Sequence, residues 1–278
     1  MQGSFSPLEL LAGFVSSTLI GVVGYRREAL TLSGVLGAIV TGTLIFGFGG
    51  WEWGILLIAF FVSSSGLSFY HGREKIQLAE KFAKGHRRDL AQALANGGLT
   101  AGLAVLSRFL PGRWIWLLAG AGAMAAVNAD TWATELGVLS PASPRLITTG
   151  KRVTVGTSGG VTLMGTAASL GGAMLIGLLS GLATRVDGAD WPIAGVLLLA
   201  ATMGGMAGSS VDSLLGATVQ AIYWCPICQK ETERTLHRCG AETEQTRGWL
   251  WLQNDLVNFF ASLVGALVAV GIGWPLLP

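Results

Sequence analysis

The chain alternates long apolar segments with short polar loops. A helix crosses the roughly 30 Å hydrocarbon core of a membrane with about 20 apolar residues. Eight segments are apolar enough to be candidate spans, namely 8–23, 32–50, 53–70, 90–109, 114–127, 161–183, 192–208 and 252–274. A ninth, 211–223, is too short to cross as an upright helix. The pattern predicts an all-α, polytopic membrane helical bundle of about eight spans plus a short half-helix.

Composition agrees with a membrane protein. Of the 278 residues, 51% are hydrophobic and only 12% are charged, whereas soluble proteins carry about 25% charged residues. Small residues let helices pack closely in lipid, so we interpret most of the 41 glycines as packing positions. We predict one transmembrane domain over 1–278, with a cysteine- and histidine-containing loop insertion at 225–248. We expect a lipid bilayer as partner and no nucleic acid, and a homodimer stays open.

Loop charges predict the orientation of the chain. If the spans alternate, eleven cations fall on one face, and only Arg108, Arg113 and Arg185 fall on the other. Cytoplasmic loops of membrane proteins are enriched in Lys and Arg. We therefore predict a multi-pass cell-membrane protein with its N-terminus outside and its cation-rich face in the cytoplasm.

Two carboxylates end the fifth span, in Asn128-Ala-Asp130-Thr-Trp-Ala-Thr-Glu135-Leu-Gly137. An Asp at bilayer depth costs roughly 2.5–3.5 kcal/mol, so these acids need a cation, a partner or a water-filled cavity. The alternative is that they only mark where the helix leaves the lipid. Residues five apart diverge on a straight helix. Either the helix breaks near Asp130, or Asp130 and Glu135 serve different partners.

Further polar residues reach the same face once the spans are threaded. Asp212-Ser-Leu-Leu-Gly216 repeats, weakly, the earlier order of acid, hydroxyl and glycine. Mg²⁺ suits a site with few carboxylates and with substrate phosphates. We predict Asp130 and Asp212 as Mg²⁺ ligands, and Glu135 as a second ligand or a general base. The polar lining is predicted to include Asn96, Asn128, Asn254, Asp255 and Asn258, the last three if 211–223 returns to this face.

A glycine-rich turn, Gly156-Thr-Ser-Gly-Gly160, precedes the sixth span. Glycine lets backbone N–H groups turn toward an anion, and a helix N-terminus adds partial positive charge. The spacing is not that of a Walker A loop, and a plain helix cap is the alternative. For Arg87 and Arg88 the alternative is attraction to anionic lipid headgroups. The predicted phosphate-binding residues are Arg87, Arg88, Lys151, Arg152, Thr157, Ser158 and Gly159.

All three cysteines lie in one loop, in Cys225-Pro-Ile-Cys228 and in His237-Arg-Cys239. Three thiolates and an imidazole can complete a tetrahedral zinc site. An odd number of cysteines argues against a full disulfide framework. The hypothesis is a structural Zn²⁺ that tethers the loop, and the alternative is a loop with free thiols.

At these residues the chain resembles the integral membrane family that includes plant phytyl-phosphate kinase and is widespread in bacteria and archaea. The motifs occur in order along nearly the whole chain, which is more specific than any one of them. They are Leu32-Ser-Gly34, the segment 42–51, Leu94-Ala-Asn96-Gly97, the segments 128–137 and 156–160, Asp212-Ser-Leu-Leu-Gly216-Ala, and the segment 251–258.

The resemblance implies transfer of a phosphoryl group from a nucleoside triphosphate to a prenyl monophosphate such as phytyl or geranylgeranyl phosphate. The acid–hydroxyl–glycine pattern is also similar to that of CTP-dependent polyprenol and phytol kinases, which suggests CTP as the donor, with ATP as the alternative. The residues alone leave three alternatives open. These are an ion-coupled membrane transporter, a CTP-dependent cytidylyltransferase acting on a lipid phosphate, and a non-enzymatic lipid-binding or scaffold protein.

Overall fold

Each of the eight predicted spans forms a helix in the computed structural model, which describes residues 7–70 and 87–277. The integral membrane helical class is thereby confirmed. The basic residues of 71–86 lie outside the described residues. The helices are α1 (Pro7–Arg26), α2 (Leu32–Gly49), α3 (Trp51–Phe69), α4 (Leu90–Phe109), α5 (Arg113–Gly137), α6 (Leu163–Val186), α7 (Trp191–Thr218) and α8 (Asn254–Gly273), and a 3-10 turn (Trp274–Leu276) follows α8.

The helix α5 forms the centre of the bundle. Thirteen consecutive residues, 117–129, are buried, and α5 packs against α3, α4, α6, α7 and α8. Seven of the described helices are long and apolar enough to span a membrane, and α5 is not one of them. Its segment is rich in alanine and glycine because it meets other helices on all sides, where small side chains permit close approach.

Glycines bring three helices together at the level of the bundle centre. A Cβ added at Gly122 of α5 or at Gly204 of α7 would lie 2.4 Å from the carbonyl oxygen of Gly265 on α8. Only glycine allows backbones to approach so closely. This contact fixes the axes of α5 and α7 side by side, so that the acids near their C-terminal ends meet.

The predicted half-helix at 211–223 is not a separate element. Residues 211–218 continue α7, which is 28 residues long, and the chain then enters a strand at Ile222. A small residue or a hydroxyl occupies many positions of 207–213, which lowers the apolar signal without breaking the helix. The segment 219–253 therefore lies on the same face as 87–89 and 138–162. We call this side of the bundle, which carries 87–89, 138–162 and 219–253, the cavity face.

Short strands organise the loops of the cavity face. In the loop after α5, β1 (Arg145–Leu146) pairs with β2 (Gly160–Val161). In the segment 219–253, three antiparallel strands form a sheet in the order β4-β3-β5. They are β3 (Ile222–Cys225), β4 (Lys230–Thr232) and β5 (Glu244–Arg247). Both loops are thus folded over the helix ends rather than extended into solvent.

Candidate functional site

A polar cavity of about 560 Å³ opens among the helix ends of the cavity face. Residues of α3 to α8 line it, together with the turn 156–160 and Glu233 of the segment 219–253. Its described lining includes four carboxylates, many hydroxyls and a single guanidinium, that of Arg88. A large polar space among membrane helices is costly unless it serves a ligand or an ion.

Three carboxylates cluster on one side of this cavity. Asp130 of α5 and Asp212 of α7 are in hydrogen-bonding contact, and Glu233 is close enough to interact electrostatically with both. The Oδ2 atom of Asp212 is buried and has no hydrogen-bond partner among the described residues. Glu233, which the sequence did not single out, accepts a 2.9 Å hydrogen bond from the amide of Gln220. Oxygen atoms from three carboxylates form a donor set that suits Mg²⁺.

Glu135 lies in the same cavity but faces other groups. Its carboxylate accepts a hydrogen bond from the hydroxyl of Ser68 on α3 and interacts electrostatically with Arg88. The helix α5 is unbroken through Gly137, so the two acids of the fifth span serve different partners, as one of the two alternatives held.

Arg88 lines the cavity, and residues of α3 hold its side chain. It stands just before the capping box of α4, in which Asp89 and Gln92 satisfy the first backbone N–H groups. Its guanidinium donates a 3.1 Å hydrogen bond to Ser65 and lies 5.4 Å from the ring centre of Phe60. Burial lowers the pKa of Arg88 to about 10, and the Glu135 carboxylate opposes that shift. The side chain is therefore cationic at neutral pH.

The glycine-rich turn lines the same cavity as the carboxylates. Gly156 and Gly159 have positive φ angles of 81° and 80°, which favour glycine. A Cβ on Gly159 would lie 2.4 Å from that of Ala217 on α7. The hydroxyl of Ser158 donates a 2.9 Å hydrogen bond to Gln220. The turn is thus locked against α7 and against the segment that carries Glu233.

The structure separates the remaining predicted residues into two groups. Asn96, Asn254 and Asn258 line the cavity together with Thr157, Ser158 and Gly159. The others do not line it. Arg87 donates to the carbonyl of Leu30 and stacks on Tyr25, and Asn128 is fully buried and donates to the carbonyl of Gly172. Lys151 and Arg152 are exposed, and Asp255 lies outside the lining.

The sequence reasoning missed Glu233 and gave no site role to Gln220. Glu233 lies in a polar segment where acids are common, so it does not stand out by type or spacing. Gln220 is 1% exposed, and its side chain links Ser158 to Glu233. The feature that reveals Glu233 is the buried side-chain amide of Gln220, which accepts one hydrogen bond and donates another. This feature is visible only in the tertiary structure.

The predicted zinc ligands do come together. One donor atom from each of Cys225, Cys228, His237 and Cys239 lies within 4.8 Å of the others, so the group could hold a metal ion. Burial alone would raise the pKa of Cys225, but hydrogen bonds from the Cys228 backbone and from Cys239 outweigh it and lower that pKa. Hydrogen bonding with Cys239, and then burial, raises the pKa of Cys228 to about 11.

A smaller apolar cavity of about 70 Å³ adjoins the polar one. It lies between α1, α2, α3 and α4, and its lining is almost entirely apolar apart from one end. At that end it shares Arg88, Gln92 and Asn96 with the polar cavity. The lining includes Ile58, which is 37% exposed on the outer surface of the bundle. The two cavities together offer a polar end and an apolar end to one ligand.

The chain is similar to proteins from a plant, an archaeon and a cyanobacterium. It is 34% identical over 273 residues to protein PGR of Arabidopsis thaliana, covering 92% of this chain and 93% of the relative. It is 33% identical over 268 residues to an uncharacterised membrane protein of Methanocaldococcus jannaschii, covering 94% of each. An uncharacterised membrane protein of Synechocystis is 28% identical over 272 residues, covering 95% of this chain and 90% of the relative. No solved structure matches.

The family model described as integral membrane protein DUF92 matches residues 15–266, which is most of the chain. This match confirms, at the level of the family, the resemblance that the motifs indicated. The chain belongs to the DUF92 family of integral membrane proteins.

Proposed function

We propose that the protein is a membrane prenyl-phosphate kinase. It transfers the γ-phosphoryl group of CTP or ATP to a prenyl monophosphate, such as phytyl or geranylgeranyl phosphate, and forms the prenyl diphosphate. One observation carries the proposal. Three clustered carboxylates, those of Asp130, Asp212 and Glu233, line one cavity together with a glycine-rich turn at 156–160.

The charges of the cavity require a cation for this reaction. Four carboxylates and one guanidinium among the described lining residues would repel a triphosphate. Mg²⁺ binds to a few carboxylates and to substrate phosphates, and it neutralises charge in phosphoryl transfer. The buried and unpartnered Oδ2 of Asp212 fits a ligand position of this kind. Asp130, Asp212 and Glu233 would hold the ion against the donor phosphates.

The other residues position the two phosphates. The glycine-rich turn 156–160, which includes Thr157 and Ser158, lines the cavity, and turns of this kind suit the donor phosphates. Arg88 suits the acceptor phosphate, and Glu135 positions Arg88. An oxygen of the prenyl phosphate attacks the γ-phosphorus, and the bond from that phosphorus to the β-bridging oxygen breaks. The nucleoside diphosphate leaves, and the acceptor needs no general base because it is already an anion.

The adjoining apolar cavity favours an acceptor with a hydrocarbon tail. Its polar end is formed by Arg88, Gln92 and Asn96, which also line the larger cavity. A lipid monophosphate would place its phosphate at Arg88 and the first part of its tail between α1, α2, α3 and α4. The volume of about 70 Å³ cannot enclose a whole prenyl chain, so the rest of the tail would extend toward the lipid.

A second candidate is an ion-coupled membrane transporter. The excess of carboxylates in the cavity favours it, since intramembrane acids also mark cation pathways. A third is a CTP-dependent cytidylyltransferase acting on a lipid phosphate, which would use the same metal and phosphate sites. Family membership and the fold do not distinguish these three.

One experiment separates the candidates. Purified protein in nanodiscs is incubated with Mg²⁺, labelled CTP or ATP, and phytyl or geranylgeranyl phosphate. Prenyl diphosphate together with nucleoside diphosphate supports the kinase, and release of pyrophosphate from CTP supports the cytidylyltransferase instead. Cation-dependent flux in proteoliposomes without any product supports the transporter. Absence of both chemistry and flux contradicts all three and leaves a lipid-binding or scaffold protein.

A further inference from the structure

The geometry of the cysteine cluster fits a metal ion better than it fits a disulfide. The Sγ atoms of Cys225 and Cys239 are 3.6 Å apart, and Nδ1 of His237 is 3.2 Å from Sγ of Cys239. With Zn–S bonds of about 2.3 Å and Zn–N bonds of about 2.0 Å, a tetrahedron places two sulfurs about 3.8 Å apart and a sulfur and a nitrogen about 3.5 Å apart. A disulfide would require about 2.05 Å between the sulfurs.

The local backbone presents these ligands. A tight turn joins β3 to β4, and the backbone N–H of Cys228 points at Sγ of Cys225 at 3.4 Å. Gln229 next to it has a positive φ of 51°. A second turn, in which the N–H of Gly240 bonds to the carbonyl of His237 at 2.9 Å, brings His237 and Cys239 together. N–H donors aimed at sulfur stabilise the thiolate, the form that binds a metal.

Glu233 lies between the two halves of the cluster in the sequence. It follows Cys228 by five residues and precedes His237 by four. Within this span, β4 pairs with β3, and the hydroxyl of Thr243 bonds to the carbonyl of Arg234 at 2.7 Å. An ion bound at both ends of 228–237 would close this short loop and restrict where Glu233 can lie.

The same segment is fastened to the cavity. The side chain of Gln220 bonds to Glu233 and to Ser158. Arg247 at the end of β5 donates a 2.8 Å hydrogen bond to the carbonyl of Gly216 at the end of α7. We propose that Cys225, Cys228, His237 and Cys239 bind one Zn²⁺, and that this ion holds the segment 219–253 as a cap that delivers Glu233 to the cavity.

The zinc site is independent of the proposed kinase activity, whereas the role given to Glu233 inside the cavity rests on it. Metal analysis tests the site alone. We expect one zinc per chain in the protein purified without added chelator, and zinc affinity at least about tenfold weaker in Cys239→Ser. Cys239→His should keep the ion, since Cys₂His₂ sites also bind zinc. Arg238→Ala is the matched control, because Arg238 stands between His237 and Cys239 in the sequence, is exposed and has no side chain that binds zinc. Wild-type protein without zinc overturns the proposal.

Thiol labelling covers the case in which the serine variant does not fold. In wild-type protein the three cysteines should resist maleimide until a zinc chelator is added, and zinc added back should protect them again. Rapid labelling without chelator contradicts the site. Labelling that requires a reductant instead indicates a disulfide and also contradicts it.

Hydrogen exchange tests the cap. Removal of zinc should raise amide exchange in 219–253 and, through Gln220 and Ser158, in 156–160, while exchange in α1 and α2 stays unchanged. Unchanged exchange in 156–160 would contradict the proposal that zinc holds the segment 219–253 as a cap, although the zinc site itself would remain. The outcome does not depend on whether the protein is a kinase, because no substrate is present.

Discussion

Two groups of acids lie at opposite ends of the bundle, and they differ in the charged groups that lie beside them. At the end away from the cavity, Arg113 contacts Glu52 at 2.9 Å and Asp187 at 3.0 Å, and the indole of Trp51 donates to Asp187 at 3.1 Å. At the cavity face, Asp130 and Asp212 contact each other, and Glu233 is a third carboxylate beside them. In the first group one cation is shared by two carboxylates, and the cluster joins α3, α5 and the loop after α6.

The difference separates structure from function. An acid with a cation beside it lowers the cost of burial and ties helices together. Acids that face one another raise that cost, so a shared proton, another cation or a ligand must relieve it. The comparison therefore identifies the cavity-face acids as functional candidates without any knowledge of the substrate.

The largest expected effect comes from removing a cavity acid. Asp130→Asn or Asp212→Asn should lower phosphoryl transfer on the order of 10²–10³-fold, as loss of a main electrostatic group does in other enzymes. The thermal unfolding temperature should stay equal or rise, because like charges no longer face each other. Turnover with labelled donor and unfolding in detergent measure both. Asp187→Asn is the matched control and should keep its turnover, and full turnover in both cavity variants would contradict the metal role.

Arg88 tests the single cation of the described cavity lining. Arg88→Gln should raise the KM for prenyl phosphate roughly 10-fold or more, since a hydrogen bond to a charged group contributes about 1.5–3 kcal/mol. The neighbouring Arg87→Gln is the control, because Arg87 faces Leu30 and Tyr25. Steady-state kinetics of both variants decide the matter. Equal KM values would show that the phosphate lies elsewhere.

Replacement of Arg113 tests the role of the ion pairs with Glu52 and Asp187 at the end of the bundle away from the cavity. Arg113→Ala should destabilise the fold by about 1–3 kcal/mol, between the values for exposed and buried pairs, because Glu52 is 7% exposed and loses its cation. Turnover per folded molecule should hardly change. Arg108→Ala is the control, since its partner Glu9 is 3.5 Å away and 48% exposed. Unfolding temperatures in detergent give the comparison, and a loss of turnover without a loss of stability would break it.

The smallest effect is expected for Lys151 and Arg152. Both are exposed and outside the cavity lining, and solvent and salt screen such charges. Lys151→Ala and Arg152→Ala should therefore change kcat/KM by less than about twofold at physiological salt. A large loss in either would mean that the loop 148–152 moves onto the phosphates, and would place these cations beside Arg88.

The apolar pattern predicted where each helix lies. It predicted the end of a helix only where a local feature of the sequence, such as a capping residue, marks that end. The predicted bounds 90–109 coincide with α4, whose start has a capping box at Asp89. The fifth span, predicted to end at residue 127, runs on to Gly137 as α5. Its polar last turns face a cavity, so hydropathy could not reveal that they are helical. The same reason explains why 211–223 was predicted as a separate half-helix, although residues 211–218 are the end of α7.

The sequence by itself determined the helical membrane class and the positions of the eight long helices, and it singled out Asp130, Asp212 and the four residues that could bind zinc. These follow from the length of apolar runs, from the cost of charge in lipid and from ligand spacing, all of which are local. Only the tertiary structure decided that Asp130 faces Asp212 whereas Glu135 faces Ser68, that Arg88 and not Arg87 reaches the cavity, and that Glu233 completes the acids. Those facts depend on how glycines on α5, α7 and α8 bring distant helices together, and no single segment encodes that contact.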